Sequence, residues 1–91
     1  MTGARNIVGP QIRRLRMKRG LTQPMLAAKC NLLGWNLSRE ILAKIESQVR
    51  WVADCELLCL AKSLGVPVTS LLPVDREISA VVRAFFKESR H

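Results

Sequence analysis

In the stretch NLSREILAKIESQVR, residues 36 to 50, the charged side chains Arg39, Glu40 and Lys44 stand among the apolar positions Ile41, Leu42 and Ile45. Leu42 and Ile45 are three apart with Ile41 beside them, which is the spacing of one apolar edge of a short helix, so the charges fall elsewhere on its surface. Arg and Lys donate to guanine O6 and N7, and Glu accepts from cytosine N4. The same face serves equally as a solvated charged surface, with Arg39 and Lys44 touching phosphates only and Glu40 tuning repulsion. Ile41 and Ala43 carry no hydrogen-bonding group, and core packing suits Ile41 better than contact with a thymine methyl.

Upstream, Thr22 and Gln23 open a second helical segment, LTQPMLAAKCNLLG. Free backbone N–H groups and the positive end of the helix dipole attract a phosphate there, and Gln23 adds an amide donor. The plain alternative is an N-cap followed by a solvated glutamine. Arg13, Arg14, Lys18, Arg19 and Arg50 supply unspecific attraction to a polyanion, and each neutralised phosphate adds to the salt dependence of binding. Of these, Arg13 and Arg50 are the expected phosphate contacts.

The whole chain is basic. Its 91 residues carry 15 Lys plus Arg against 7 Asp plus Glu, a formal charge of +8 and a pI near 10.5. That balance favours a polyanionic partner such as nucleic acid, with an anionic membrane surface as the competing partner. No apolar run approaches the roughly 20 residues that span a bilayer, and MTGARNIVG lacks the apolar centre of a secretory signal, so the expectation is a soluble cytoplasmic chain. Enzymatic chemistry finds no footing: the one histidine is His91, and there is no glycine-rich phosphate loop and no group of carboxylates beside a nucleophile. Cys30, Cys55 and Cys59 are odd in number and lack a Cys-x-x-Cys pair. Cys55 and Cys59 with His91 leave a zinc site without its fourth ligand, so the three read as small buried side chains, and no metal, cofactor or small-molecule ligand is expected.

Single Gly and Pro residues punctuate the chain as they would between short helices, and strand signals are weak throughout. GPQIRRLRMKRG reads as a first helix, with Pro10 near its start and Gly20 as a left-handed stop. The second is capped by Thr22, buries Leu26, Ala27 and Cys30, and ends by Gly34. The third is capped by Ser38. The fourth, DCELLCLAKSLG, is capped by Asp54, stopped by Gly65, and turns Leu57, Leu60, Ala61 and Leu64 inward. VPVTSLL adds a fifth, very short turn. An all-α domain over residues 5–72 follows.

These segments carry a resemblance. LTQPMLA, then LSREILAKIE, then ELLCLAKSLGVPVTSLL together resemble the Xre/Cro-like family of helix-turn-helix DNA-binding domains, typified by phage repressors, over about residues 7 to 72. The resemblance implies a five-helix fold and a sequence-specific transcriptional regulator, most often a repressor. It also implies base reading by Arg39, Glu40 and Lys44, phosphate contact by Thr22 and Gln23, and an internal salt bridge between Arg16 and Glu46. Two features depart from the commonest pattern. The segment from Leu26 to Ile45 is longer by about five residues, with NLLGWNL filling the turn. Gln48 stands where the family usually has Gly, so a left-handed residue would cost more there and the loop at Gln48 and Val49 is expected to run differently.

Residues 74–91 form a separate final helix in which Ile78, Val81, Val82 and Phe85 recur at i, i+3, i+4 and i+7. A core already closed by the preceding helices leaves that stripe without a partner, so it is expected to form a two-fold homodimer interface. The competing arrangement folds it back against Trp35 or Trp51. Those two rings, with Phe85 and Phe86, are too few for a base-stacking platform, and both tryptophans are expected to close core edges. A second class of function is a protein-interaction module of antitoxin or adaptor type with weak or no DNA binding; Gln23, Arg39 and Lys44 argue against it.

Overall fold

The computed structural model describes residues 4–73 and 77–89. It is all-helical, with no strand among the described residues: α1 (Gly9–Lys18), α2 (Gln23–Leu32), α3 (Arg39–Glu46), α4 (Asp54–Leu64), a 3-10 turn (Val68–Leu71) and α5 (Ile78–Ser89). The expected C-terminal helix is therefore present, and positions 74–76 and 90–91 of the expected span lie outside the described residues.

Helices α1 to α4 each bury one apolar edge in a common core. Ile12, Leu26, Cys30, Leu42, Ile45, Leu60 and Leu71 are fully enclosed, and Leu15, Ala27, Leu37, Ala61 and Leu64 nearly so. Helices α2 and α3 are capped as their sequences require, by Thr22 Oγ1 accepting from the Met25 N–H at 3.2 Å and Ser38 Oγ from that of Ile41 at 3.1 Å. The long connection between them is held by Asn31, whose Nδ2 donates to the carbonyls of Trp35 and Leu37 at 2.8 and 3.1 Å. Leu37 then plugs the core while Leu32 and Leu33 stay exposed. The α4 cap differs from expectation. Ala53, not Asp54, is the N-cap; Glu56 reaches back to accept from its N–H at 3.0 Å, while Asp54 accepts from the Cys55 N–H beside it. A carboxylate at the third helical position does the work that Asp54, already inside the helix, cannot.

The start of α1 is bolted to the end of α3. Asn6, buried, accepts from the N–H groups of Val8 and Gly9 at 3.1 and 2.8 Å and donates to the carbonyls of Ile45 and Arg50 at 3.1 and 2.9 Å. One side chain thus satisfies two open donors at the start of α1 and adds a second bond to the Ile45 carbonyl near the end of α3, which also accepts from the Gln48 N–H at 3.0 Å. The two helix ends approach so closely that a Cβ on Gly9 would run into the Ile45 carbonyl oxygen. Gln48 contradicts the expectation of a differently running loop: it takes the left-handed conformation itself, at φ 68. Its side-chain amide donates to the Asn6 carbonyl at 2.9 Å and its own carbonyl accepts from Arg5 at 2.8 Å, which offsets the roughly 1–2 kcal/mol that a Cβ costs there.

α5 lies apart from the other helices. Val81 and Phe85 are half-buried, and Phe85 meets Trp51 edge to face at 6.2 Å between ring centroids. An apolar groove of about 310 Å³ runs beside this contact, between Val8, Val52 and Leu72 on the domain and Val82 and Phe86 on the helix. Trp51, expected at a core edge, is mostly exposed and serves the α5 contact instead, with the Arg5 guanidinium 5.8 Å from the centre of its ring; Trp35 does pack on the core. No helix among the described residues is long and apolar enough to cross a membrane.

Candidate nucleic-acid interface

The site is organised around the two ends of α3. At its C-terminal end, Glu46 is paired with Arg16 of α1 through two hydrogen bonds, Nε to Oε2 at 2.7 Å and Nη2 to Oε1 at 3.1 Å. Their side chains are 11% and 3% exposed. Arg16 Nη1 also donates to the Leu21 carbonyl at 2.8 Å, and Gln23 Nε2 donates to Glu46 Oε1 at 3.1 Å. Charges taken out of water need all of these partners, and no buried side-chain nitrogen or oxygen among the described residues lacks one. The network reaches α1, the last residue of α3 and the first residue of α2, so it sets how the open end of α2 sits relative to α3.

At its other end α3 is open. Arg39 and Glu40 are exposed there and touch only at 3.8 Å, with side chains 58% and 71% in solvent, and Lys44, in the last turn, is exposed as well. Ile41 and Ala43 are half-buried beneath them, and Ser47 turns its hydroxyl back onto the Ala43 carbonyl at 2.9 Å. Thr22 is exposed at the N-terminus of α2. Gln23 is half-buried, and the amide donor expected to face a phosphate is partly engaged by Glu46, leaving its second N–H for another acceptor.

The expected phosphate contacts separate into two kinds. Arg13 is exposed on α1 with Arg14, Lys18 and Arg19. Arg50 is held by Glu56, at 2.9 and 3.2 Å in a two-pronged pair, and also donates to the Trp51 carbonyl at 3.0 Å. This pair fastens the α3–α4 loop to the first turn of α4, which leaves Arg50 less free than its charge alone suggests. The Arg50 guanidinium beside Glu56 holds that carboxyl below its ordinary value of 4.5, against the opposing effect of burial, and the Ala53 N–H adds to the lowering.

The cysteines divide as well. Cys30 donates to Ser63 Oγ at 3.4 Å, and burial pushes its thiol up to about 11, as an inert core side chain requires. Cys59 is half-buried against the Cys30 carbonyl, whereas Cys55, expected inside, is exposed because it occupies the outer face of the first turn of α4. His91 lies outside the described residues. Among the described residues no three His, Cys, Asp or Glu side chains stand together as a metal site would require.

Sequence reasoning missed Asn6 and the Gly9 contact, both of which hold α3 in place. An Asn shortly before Gly-Pro at a helix start was the available signal. Of the expected interface stripe on α5, Ile78 and Val82 are exposed, while Val81 and Phe85 lie half-buried.

Two solved structures are similar to this chain. One is the restriction-modification controller protein C.AhdI from Aeromonas hydrophila, with a TM-score of 0.64 and 29% identity, covering 71% of this chain and 91% of that one. The other is the DNA-binding domain of BldD, with a TM-score of 0.64 and 28% identity, covering 80% of this chain and all of that domain. The sequence matches no family model and no curated protein.

Proposed function

We propose, from a chain that has the helix-turn-helix fold of the Xre/Cro-like type, that it is a sequence-specific double-stranded DNA-binding transcriptional regulator. Helix α3 enters the major groove. Arg39 and Lys44 donate to guanine edges and Glu40 accepts from cytosine, while the N-terminus of α2, with Thr22 and Gln23, rests on a phosphate. Arg13 adds a backbone contact; Arg50 contributes to the positive potential while its pair with Glu56 shapes the loop. Bound as a homodimer on two half-sites about one helical turn apart, roughly 34 Å, the protein acts as a repressor.

The observation that carries this reading is the contrast along α3. Its inner face is locked at Glu46 by the Arg16–Glu46–Gln23 network, and its outer face presents Arg39 and Glu40 in the first turn and Lys44 in the last, three charged side chains with no strong internal partner. A preorganised helix with free donors and an acceptor suits base edges, and the formal charge of +8 brings it to the backbone. Fluorescence anisotropy with labelled duplex and single-stranded DNA tests it. Duplex is expected to bind more tightly, with affinity falling steeply between about 50 and 200 mM salt. Equal affinity for single strands, or no binding at low salt, contradicts the reading.

A further inference from the structure

The apolar groove between α5 and the domain, about 310 Å³ in volume, holds one open polar group. Its walls include Val8, Val52, Leu57 and Leu72 on the domain and Val82 and Phe86 on α5, and only two polar side chains, Asn6 and Arg5, reach its lining. Asn6 is spent: its oxygen accepts from the Val8 and Gly9 N–H groups, and its amide donates to the Ile45 and Arg50 carbonyls. Arg5 is not. Its backbone N–H is bonded to the Gln48 carbonyl, but its half-buried side chain meets no carboxylate within ion-pair distance among the described residues. The guanidinium stands 5.8 Å from the centre of the Trp51 ring, which Phe85 braces edge to face. A ring face attracts the charge and holds it in place, yet leaves the N–H donors open.

We propose that this groove binds a small amphipathic monocarboxylate, its apolar chain or ring lying between α5 and the domain and its carboxylate held at the rim by Arg5. Charge decides the head group, because a carboxylate gains charge-assisted bonds from a guanidinium that has no other acceptor. The spent state of Asn6 decides the tail. A hydroxyl, an amide or a second charge deeper in the groove would lose its water and gain no partner. Ile7, Val82 and Phe86 remain 37%, 45% and 57% exposed along the walls, and an apolar tail would take that surface out of water.

Size narrows the class further. Small-molecule sites run from about 300 to 1,000 Å³, so this groove takes a medium-length acyl chain or a single aromatic ring, not a nucleotide or a two-chain lipid. A second copy of the chain fits less well: at a formal charge of +8 it would bring more positive charge to a cation that lacks a partner. The site stands apart from the nucleic-acid interface, since neither α2 nor α3 contributes to its lining.

Titration calorimetry of the full chain with octanoate, octanol and octylammonium tests the assignment, because the three share one tail and differ in head group. Octanoate should bind at one equivalent and roughly tenfold or more tighter than octanol, with octylammonium weaker than either. Arg5→Gln removes the charge without removing an ion pair of the fold, so octanoate should fall to the level of octanol while octanol is unchanged. Val82→Asp, at an exposed position of the wall, should abolish octanoate binding with helix content by circular dichroism preserved. Amide shifts on adding octanoate should concentrate at Val8, Val52, Leu72 and Val82. Three ligands that bind alike, or an Arg5→Gln chain that keeps the preference for octanoate, would overturn the site. Shifts centred on Arg13, Arg14 and Lys18 would do the same, by showing unspecific ion pairing on the basic face of α1. So would sedimentation of a dimer that octanoate neither enters nor dissociates, which gives the groove to a second copy.

Discussion

The same two residue types meet at both ends of α3, with opposite consequences. Arg16 and Glu46 are almost wholly out of water and hold each other through two bonds of 2.7 and 3.1 Å, with the Leu21 carbonyl and the Gln23 amide completing the set. Arg39 and Glu40 lie in solvent at 3.8 Å and hold each other weakly, in the range of about 0–1 kcal/mol for exposed pairs. A desolvated charge cannot let go of its partner without being stranded, so the inner pair defines architecture. A solvated one exchanges its partner at little cost, so the outer pair is available to a ligand. Burial, not composition, makes one end of an eight-residue helix a fixture and the other a reading surface.

Breaking the inner pair should have the largest effect. Glu46→Ala strands the Arg16 guanidinium and is expected to cost about 3–5 kcal/mol, read from the urea midpoint; an unchanged midpoint would remove the distinction between the two ends. Next comes Lys44→Ala, which should relax preference at one base pair by roughly 1–3 kcal/mol, measured by competition among duplex variants. Its stability should stay within about 0.5 kcal/mol of the parent. Equal loss on every sequence would make Lys44 a phosphate contact.

The Arg50–Glu56 pair lies between these extremes, since its side chains are neither enclosed nor free. The folded state holds the Glu56 carboxyl below its ordinary value of 4.5, so the pair contributes stability that is complete above that value and is lost as pH falls through the lower, folded one. Chemical denaturation of Glu56→Gln between about pH 5 and pH 2 should therefore show a shallower acid decline than the parent. A parallel decline would mean that the pair does not contribute. The smallest effect belongs to the outer pair: Arg39→Ala should shift stability by no more than about 0.5 kcal/mol while weakening preference for a guanine. A stability loss matching that of Glu46→Ala would contradict the idea that α3 has an open end.

What could be read from residues alone follows from the range of the forces involved. Thr22 and Ser38 cap their helices through neighbours three positions on, and the edges made by Leu26, Ala27 and Cys30 and by Leu60, Ala61 and Leu64 are periodic within one helix. Such local signals survive in a sequence. Gln48 misled because its left-handed backbone is supported by Asn6 and Arg5, 42 and 43 positions away along the chain. Asn6 itself gives little local sign of reaching Ile45 and Arg50. The Arg50 carboxylate partner stands six residues on, across a loop rather than on one helix face. On α5, periodicity marks an apolar stripe without saying which edge is taken by the chain's own Trp51.

Selection of bound duplexes from a random pool tests the central claim, that α3 reads sequence from a frame fixed by its buried end. The parent chain should enrich one motif, arranged as an inverted repeat with half-site centres about one helical turn apart. The Lys44→Ala chain should enrich the same motif with a single symmetric position relaxed. Retention of the whole pool without an enriched motif, or a motif that Lys44→Ala leaves untouched at every position, would contradict it.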